Sequence, residues 1–425
     1  MKVYIETYGC ALNKADASLM KSLLVSAGHE LVKSIGDADV VVINTCTVRK
    51  DTEDRVLRRL RNLKSVLYNK KLIITGCMVS TQPYTLKQVA PEASLLSPQN
   101  ITKIVEVVEN EGIVNYILGV RDTSVLPCNV EEAIATIPIA EGCLGDCSYC
   151  IVKLARRRLI SYRPALIVDA VRKAVNDGAV EVELTAQDTA SYGRDLGYIN
   201  MPRLVRMIVD EVSGDYMIRI GMADPDTLTP ILDEFIEVLR EPNVFKYVHI
   251  PLQSGDDEVL KLMNRKYSVD DFVQLVKELR RKIPEVSIAT DIIVGHPGED
   301  DEAFENTVRV VNELAFDKIH IAQYTLRPRT KSCLLPQVSE AVKKLRSVEL
   351  TKVAEEVCSK VNNAYVGSIA KTLITTKNKL RGSTLGRLIN YKPVVVYDAL
   401  SIQSKHIYVH IVNATFYDLR AKPIN

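Results

Sequence analysis

Apolar and polar positions in the first part of the chain switch between a strand-like period and a helix-like period. Strands that alternate with helices are typical of a parallel sheet with helices on its faces. In such folds, ligands bind beyond the carboxyl ends of the strands. We therefore predict a parallel α/β domain over residues 1–115. The pattern predicts strands at 2–7, 40–44 and 72–75, and helices at 14–27, 53–68 and 101–109.

A second series of strands and helices follows a predicted linker at 116–133. Six strands with crossover helices favour a partial (β/α) barrel over 134–360, whose active face is at the carboxyl ends of its strands. The predicted strands are 134–140, 180–185, 216–220, 246–250, 287–293 and 318–323.

The pattern changes again near the end of the chain. A long helix is predicted over 339–363, with Ser339 as its N-cap. Four short strand-like runs come after it, and they favour a small closed β-barrel of the OB type over 361–425, a fold that commonly binds nucleic acid. These runs are 370–376, 387–388, 394–397 and 407–413.

Composition limits the class of protein. The 425 residues suffice for two or three domains with cores, and 47% hydrophobic with 25% charged residues is ordinary for a globular protein. Apolar runs stay well below the roughly 20 residues of a membrane span. The first residues form a strand pattern rather than a signal region, so we expect a cytoplasmic protein without a membrane partner.

Charge is distributed unevenly along the chain. The net charge is +2, but residues 361–425 carry nine Lys or Arg and two Asp, a local balance of +7. This basic tail indicates either a polyanion partner or a solvated basic surface.

The cysteines indicate metal ligation, because nine thiols in a chain without a signal region are more typical of ligands than of disulfides. Cys143, Cys147 and Cys150 form a CxxxCxxC run. Three thiolates can hold three irons of a 4Fe–4S cluster and leave the fourth iron open for S-adenosylmethionine, with Tyr149 placed near its adenine. A zinc loop is the alternative, but zinc needs a fourth ligand that this run does not supply.

Three further cysteines end predicted strands. Cys10, Cys46 and Cys77 follow the first three strands directly. Because parallel strands end at the same edge of a sheet, these thiols predict a second 4Fe–4S site. Buried structural cysteines remain the alternative.

Together, the motifs resemble the radical S-adenosylmethionine methylthiotransferases over essentially the whole chain. The resemblance rests on Thr7-Tyr8-Gly9-Cys10, Asn44-Thr45-Cys46-Thr47-Val48-Arg49, Gly76-Cys77-Met78, Cys143 to Cys150, Pro251-Leu252-Gln253-Ser254-Gly255 and Asp291 to Glu299. It also includes a C-terminal TRAM domain around residues 386–394. The run from Glu183 to Asp195 is similar to the archaeal and eukaryotic branch, which converts N6-threonylcarbamoyladenosine beside the tRNA anticodon to its 2-methylthio form.

The resemblance implies two 4Fe–4S clusters, S-adenosylmethionine, an electron donor such as a flavodoxin or ferredoxin, and a sulfur donor. It also implies that Tyr149, Thr185, Gln187 and Gly295 contact S-adenosylmethionine. The family often has Gly where Arg157 stands and Phe where His296 stands.

Basic residues in two regions are the candidates for tRNA contacts. Arg156 and Arg157 belong to an acid-free basic run beside the CxxxCxxC motif, and six more lie on or between the C-terminal β segments. These six are Lys371, Lys377, Lys379, Arg381, Arg387 and Lys392.

Other functions remain open. The same fold could methylthiolate a ribosomal protein side chain, which would not need the basic tail, or isopentenyladenosine in tRNA. A third alternative is an iron–sulfur RNA-binding module without catalysis, against which the cofactor motifs around Gln187 and Gly295 argue.

Overall fold

The computed structural model of the chain describes residues 1–63, 69–126, 130–377, 382–397 and 406–424. It has a parallel N-terminal sheet, a partial (β/α) barrel and a closed C-terminal β-barrel, which confirms the predicted fold class. The boundaries predicted for the domains and the linker remain predictions. No helix in these described ranges is both long and apolar enough to cross a membrane.

The N-terminal sheet has six parallel strands in the order β2-β1-β3-β4-β5-β6. Its strands are β1 (Lys2–Thr7), β2 (Glu30–Leu31), β3 (Val40–Thr45), β4 (Lys71–Gly76), β5 (Ser94–Leu96) and β6 (Asn115–Tyr116). Its helices are α1 (Ala11–Ser26), α2 (Lys50–Leu63), α3 (Cys77–Thr81), α4 (Pro83–Val89) and α5 (Ile104–Glu109). Every residue of β3 is buried, as expected for a central strand covered on both faces. The end of the predicted helix 53–68 lies outside the described residues.

The partial barrel consists of six parallel strands, β8, β11, β12, β13, β14 and β15, with a single bridge from Ile218 to Val244 between its two sheets. The strands of this region are β7 (Val130–Glu131), β8 (Ile134–Pro138), β9 (Ala140–Glu141), β10 (Ile160–Ser161), β11 (Glu181–Thr185), β12 (Met217–Ile220), β13 (Tyr247–His249), β14 (Ser287–Val294) and β15 (Lys318–Gln323). All six predicted barrel strands are confirmed to within a few residues.

Helices cover the outside of this partial barrel and bury a continuous apolar core against it. The helix predicted with Ser339 as its N-cap is confirmed, since the Ser339 side chain accepts a hydrogen bond from the Val342 amide at 3.3 Å. The helices are α6 (Val152–Arg156), α7 (Pro164–Asn176), α8 (Met201–Glu211), α9 (Pro225–Leu228), α10 (Leu232–Leu239), α11 (Asp257–Leu262), α12 (Val269–Lys282), α13 (Asp301–Leu314) and α14 (Glu340–Asn363).

The C-terminal β-barrel closes in the order β16-β17-β18-β20-β19. Its strands are β16 (Ile369–Lys377), β17 (Ser383–Leu388), β18 (Pro393–Tyr397), β19 (His406–Ala414) and β20 (Leu419–Pro423). The sequence pattern missed β20, which has only five residues and becomes a strand by pairing with β18 and β19. Long-range closure, rather than local propensity, makes this segment a strand.

The turn between β17 and β18 inserts into the amino-terminal end of the partial barrel. The Tyr391 hydroxyl donates to the carboxylates of Glu181 at 2.5 Å and Glu183 at 3.1 Å. The Tyr391 ring centroid lies 4.9 Å from that of Phe245 and 5.0 Å from that of Tyr247. The small barrel is therefore packed against the larger one through a buried aromatic contact.

Two basic residues predicted to contact tRNA lie in this interface. Lys392 is 4% exposed, and its Nζ is 2.6 Å from Asp317 Oδ1 and 2.8 Å from Asn362 Oδ1. The half-buried Arg387 places its guanidinium 4.6 Å from the Tyr391 ring centroid. The prediction for Lys392 is wrong, because this buried cation is paired inside the interface. The contact of Arg387 with tRNA stays a prediction.

The remaining basic residues of the tail are not placed in that interface. Lys371 is exposed on β16 and stays a candidate for a phosphate contact. Lys379 and Arg381 lie outside the described residues, as does the side chain of Lys377.

The buried turn leads to a stability prediction. Replacing Tyr391 with Ala removes a buried ring and its hydrogen bonds, so Tyr391→Ala should lower the free energy of unfolding by about 3–5 kcal/mol. Denaturant unfolding would measure this change. Tyr408, which is 60% exposed on β19, is a matched control, and Tyr408→Ala should have little effect. Equal unfolding midpoints for both variants would contradict the docking role of Tyr391.

Candidate active site between two cysteine triads

The first cysteine triad lies at the carboxyl edge of the N-terminal sheet. Cys10 precedes α1 just after β1, Cys46 directly follows β3, and Cys77 begins α3 directly after β4. The strands β1, β3 and β4 are neighbours in the sheet, so the three thiols converge as predicted. Cys46 and Cys77 are buried, whereas Cys10 is exposed.

Glycine makes room around these thiols. Gly9 has a φ of +109°, and a Cβ there would lie 3.0 Å from Cys46 Sγ. Gly76 has a φ of +93°, and a Cβ there would lie 2.3 Å from the Thr45 carbonyl oxygen. Both positions need the freedom of glycine, and an open space beside the sulfurs results. This space and the three-thiol donor set fit an iron–sulfur cluster.

The second triad occupies the loop between β9 and α6. Cys143, Cys147 and Cys150 are all partly exposed, and Cys143 Sγ accepts a hydrogen bond from the Gly145 amide at 3.2 Å. A Cβ at Gly145 would lie 3.2 Å from Cys143 Sγ and 3.7 Å from Cys147 Sγ, so glycine keeps the space between these sulfurs open. The triad therefore also fits a cluster with one iron left open.

Arg265 is a functional candidate that the sequence pattern missed. Its Nη1 donates to Cys147 Sγ at 3.0 Å, and its Nη2 is 2.6 Å from Asp224 Oδ2. The Arg265 side chain is 5% exposed. It lies 118 positions from Cys147, so no local spacing signalled the contact. A buried guanidinium next to this sulfur forms a charge-assisted hydrogen bond with it.

The residues predicted to bind S-adenosylmethionine lie at the carboxyl ends of the barrel strands. Thr185 ends β11 and is buried. Gln187 Oε1 accepts a hydrogen bond from the Gly142 amide at 2.7 Å, which connects its loop to the start of the cysteine loop. Thr185 and Gln187 therefore lie on the carboxyl-end face of the barrel, as predicted. Their contacts with S-adenosylmethionine remain predictions.

Tyr149 and Gly295 lie on the other side of the same opening. Burial raises the pKa of Tyr149 well above its usual value, and its ring meets His296 edge-on with centroids 6.1 Å apart. His296 is fully buried, and burial lowers its pKa to about 4, so it is a neutral packing residue that contacts Ser332 Oγ at 2.8 Å. Gly295 has a φ of +73°, and its amide donates to Glu299 Oε1 at 2.7 Å.

A cavity of about 540 Å³ is bordered by residues next to both triads. Part of its wall is formed by 48–51, the segment that follows Cys46. Other parts are formed by 149–152, which includes Cys150, by the ends of β14 and β15, and by Glu340 and Ser347 of α14. The cavity therefore touches the segment after one cysteine triad and a cysteine of the other.

A buried ionic cluster connects the two halves of this site. Arg156 Nη1 is 2.7 Å from Asp16 Oδ2, and its Nη2 donates to Asn13 Oδ1 at 2.6 Å. Its Nε lies 3.4 Å from Cys77 Sγ. Arg121, within the predicted linker, is 2.9 Å from Asp16 and 3.2 Å from Glu141. All four charged side chains are 2% exposed or less.

The prediction that Arg156 contacts tRNA is therefore wrong. Its side chain is 1% exposed, and its charge is compensated inside the protein. The sequence signal that could have revealed this is the pair Asn13 and Asp16, polar residues buried in α1. Arg157 is exposed and remains a candidate. Its φ of +63° is a conformation that glycine favours, which explains why the resembling family often has Gly there.

The ionic cluster leads to a second prediction. In Arg156→Met, the buried carboxylates of Asp16 and Glu141 would be compensated by a single cation, Arg121. The free energy of unfolding should therefore fall by about 3–5 kcal/mol. Denaturant unfolding measures this loss. Arg157→Met is a matched control at the adjacent exposed position and should change it by less than about 0.5 kcal/mol. An unchanged stability in Arg156→Met would show that the cluster is not needed to join the two halves.

Comparisons with known proteins agree with this site. The Radical SAM superfamily matches residues 137–311, and the Uncharacterized protein family UPF0004 matches residues 2–97. The first range contains the triad at Cys143, Cys147 and Cys150, and the second contains Cys10, Cys46 and Cys77.

Two solved structures share the fold. The radical S-adenosylmethionine methyltransferase TsrM from Kitasatospora setae is similar with a TM-score of 0.57 at 16% identity, over 87% of this chain and 78% of that chain. The cobalamin-dependent S-adenosylmethionine radical enzyme OxsB is similar with a TM-score of 0.52 at 9% identity, over 84% of this chain and 56% of that chain. At such low identities, the likeness is one of fold.

Two relatives of known sequence match nearly the whole chain. A probable threonylcarbamoyladenosine tRNA methylthiotransferase of Methanocaldococcus jannaschii is 39% identical, over 89% of this chain and 88% of that protein. The threonylcarbamoyladenosine tRNA methylthiotransferase of Homo sapiens is 32% identical, over 100% of this chain and 74% of that protein. These matches confirm the resemblance found in the motifs. The chain belongs to the threonylcarbamoyladenosine tRNA methylthiotransferase family of radical S-adenosylmethionine proteins.

Proposed function

We propose that this protein transfers a methylthio group to carbon 2 of N6-threonylcarbamoyladenosine, beside the anticodon of tRNA. The single observation that supports it most is the cavity of about 540 Å³, whose lining includes Cys150 of one triad and the segment 48–51 that follows Cys46 of the other. A target base in this cavity would be within reach of chemistry from both triads. The names of the relatives support the substrate.

The alternatives are less well supported. The relatives are named for threonylcarbamoyladenosine in tRNA, which disfavours a ribosomal protein or isopentenyladenosine as the substrate. The match of residues 137–311 to the Radical SAM superfamily disfavours an RNA-binding module without catalysis.

In this proposal, Cys143, Cys147 and Cys150 hold a 4Fe–4S cluster with one open iron. When bound, that cluster supplies the electron that cleaves S-adenosylmethionine to a 5′-deoxyadenosyl radical. Gln187 holds the cysteine loop through its hydrogen bond to the Gly142 amide. Tyr149, Thr185 and Gly295 surround the cofactor position in this proposal. The missing side chain of Gly295 leaves room for Lys343 of α14, because a Cβ there would lie 2.3 Å from Lys343 Cγ.

Cys10, Cys46 and Cys77 hold the second 4Fe–4S cluster, which provides the site for the transferred sulfur. Arg156 and Arg265 act on opposite sides of the cavity. Arg156 Nε faces Cys77 Sγ at 3.4 Å, and Arg265 Nη1 faces Cys147 Sγ at 3.0 Å. Hydrogen bonds to ligand sulfurs help to set the reduction potential of a cluster, so each arginine tunes one of them.

The tRNA anticodon loop reaches this cavity as a single strand, which lowers the cost of unstacking the target base. Exposed Arg157 beside the cysteine loop and exposed Lys371 on β16 are the described candidates for phosphate contacts. A second S-adenosylmethionine would supply the methyl group, and the hydrogen of carbon 2 would leave with the 5′-deoxyadenosyl group. An electron donor such as a flavodoxin or ferredoxin and a sulfur donor would complete the reaction.

The two-cluster proposal makes a quantitative prediction. Anaerobic reconstitution should load about eight irons per chain, four for each triad. Replacing Cys143, Cys147 and Cys150 with Ala should leave about four irons and abolish S-adenosylmethionine cleavage, because the open iron is lost. The corresponding triple variant of Cys10, Cys46 and Cys77 should also leave about four irons but retain cleavage.

Iron analysis and detection of 5′-deoxyadenosine measure both effects. Cys333→Ala is the matched control, because Cys333 is a free thiol outside both triads, and it should keep the full iron content. A full iron content in the variant that lacks Cys10, Cys46 and Cys77 would rule out the second cluster.

The substrate proposal predicts dependence on the existing modification. The proposed site forms hydrogen bonds with the threonylcarbamoyl group. When the tRNA carries unmodified adenosine, the polar groups of the site lose these partners, so turnover should fall by about tenfold or more. Nucleoside mass spectrometry of tRNA with and without threonylcarbamoyl groups measures this difference. Cleavage of S-adenosylmethionine in the absence of tRNA serves as the control for enzyme quality. Equal turnover on both tRNAs would contradict the proposed substrate.

A further inference from the structure

Two histidines and an aspartate come together inside the partial barrel, away from both cysteine triads. His249 ends β13, and Asp291 and His320 are paired neighbours on β14 and β15. One nitrogen of each imidazole and one oxygen of the carboxylate all lie within 4.8 Å of one another. His249 Nε2 is 3.0 Å from Asp291 Oδ2, and the two imidazole centroids are 5.5 Å apart.

These side chains face an opening rather than a closed core. The His249 and Asp291 side chains are 14% and 33% exposed, and His320 is exposed.

We propose that His249, Asp291 and His320 form a binding site for a divalent transition-metal ion. Two imidazoles and one carboxylate are a donor set that suits zinc and non-haem iron(II). Three protein ligands leave at least one coordination position open, which is typical of sites that bind a further ligand rather than of structural sites. The site contains no thiol, so it is chemically separate from the cluster sites.

The metal site lies next to the cavity that Cys150 and the segment 48–51 line. Ile293 and Ala322 line that cavity, and they lie two residues beyond Asp291 and His320 on the same two strands. Residues two apart in a strand lie on the same face, so the metal site and the cavity share one wall. The fold therefore places the ion next to the substrate position.

The position suggests the ligand, and this step rests on the proposed function. The threonylcarbamoyl group carries a carboxylate and a hydroxyl, and carboxylate oxygen is a common ligand of zinc. Lys318 lies two residues before His320 on the same strand and adds a positive charge near the site. The ion would hold the modification and so position the base in the cavity.

Zinc alone is the probe for the metal site, and it needs neither tRNA nor S-adenosylmethionine. Reconstituted holoenzyme is incubated with Zn²⁺ and desalted, after which metal analysis and zinc K-edge absorption are measured. We expect about one zinc per chain, with nitrogen and oxygen ligands at about 2.0–2.1 Å and imidazole scattering. His320→Phe and His249→Phe should each weaken zinc binding at least about tenfold, because each removes one of three ligands.

The matched control is His410→Phe, since His410 is exposed on β19 of the C-terminal barrel. It should bind zinc like the unmodified protein, and an unchanged iron content shows that each variant is folded. Equal zinc in His320→Phe and the unmodified protein would overturn the site. So would a zinc shell of sulfur at about 2.3 Å, which would indicate binding to cysteines.

A separate measurement tests the positioning role. His320→Phe should raise KM for threonylcarbamoyl-containing tRNA, whereas the control His410→Phe should leave this KM unchanged. If zinc binds as expected but KM is unaltered, the role in substrate positioning is wrong. Because the zinc measurement does not depend on turnover, a failure of the proposed tRNA activity would be recognised separately.

Discussion

The buried contacts of Arg156 determine how the two halves of the active site face each other. A guanidinium that is buried away from water requires a compensating negative charge. Asp16 of α1 and Glu141 of β9 provide this charge for Arg156. The Arg156 side chain also contacts Cys77 of the N-terminal triad. Arg156 itself belongs to α6, the helix that follows the triad of Cys143, Cys147 and Cys150. If Asp16 or Glu141 moved away from Arg156, a buried charge would lose its compensation. This cost keeps the N-terminal sheet and the partial barrel in a single arrangement.

A second buried ion pair strengthens this arrangement from the opposite wall of the cavity. Arg327, which follows β15, is 2.8 Å from Glu53 of α2 and donates to the Val48 carbonyl at 2.9 Å. The segment after Cys46 is therefore held against the end of β15. Two buried ion pairs therefore hold the N-terminal sheet and the partial barrel together on either side of this region.

The interior of the partial barrel is organised in layers along its axis. Tyr391 packs at the amino-terminal end. The His249, Asp291 and His320 cluster lies further along the strands, followed by Ile293 and Ala322, which line the cavity beside Cys150. The C-terminal barrel has two separate surfaces. One surface is the buried plug, and the other, which includes Lys371, is free to meet a polyanion.

Features that depend on short-range spacing could be predicted from the amino-acid sequence. Strand and helix periods predicted the parallel sheet, the partial barrel and most of the closed barrel, because side-chain periodicity follows directly from local backbone geometry. The two triads were also predictable. Cys143, Cys147 and Cys150 share one loop, and Cys10, Cys46 and Cys77 each follow a strand of the same parallel sheet.

Which cations are buried depends on long-range packing and could not be predicted from the sequence. In the sequence, Arg156 looks like its exposed neighbour Arg157, and Lys392 looks like Lys371, since a basic residue in a basic segment carries no local sign of a distant partner. Arg156 contacts Asn13, which lies 143 positions away in the sequence, and Lys392 contacts Asn362, which lies 30 positions away. The cluster of His249, Asp291 and His320 likewise exists only because three parallel strands bring it together. Charge pairing and ligand convergence act through space, so long-range packing rather than local pattern determines them.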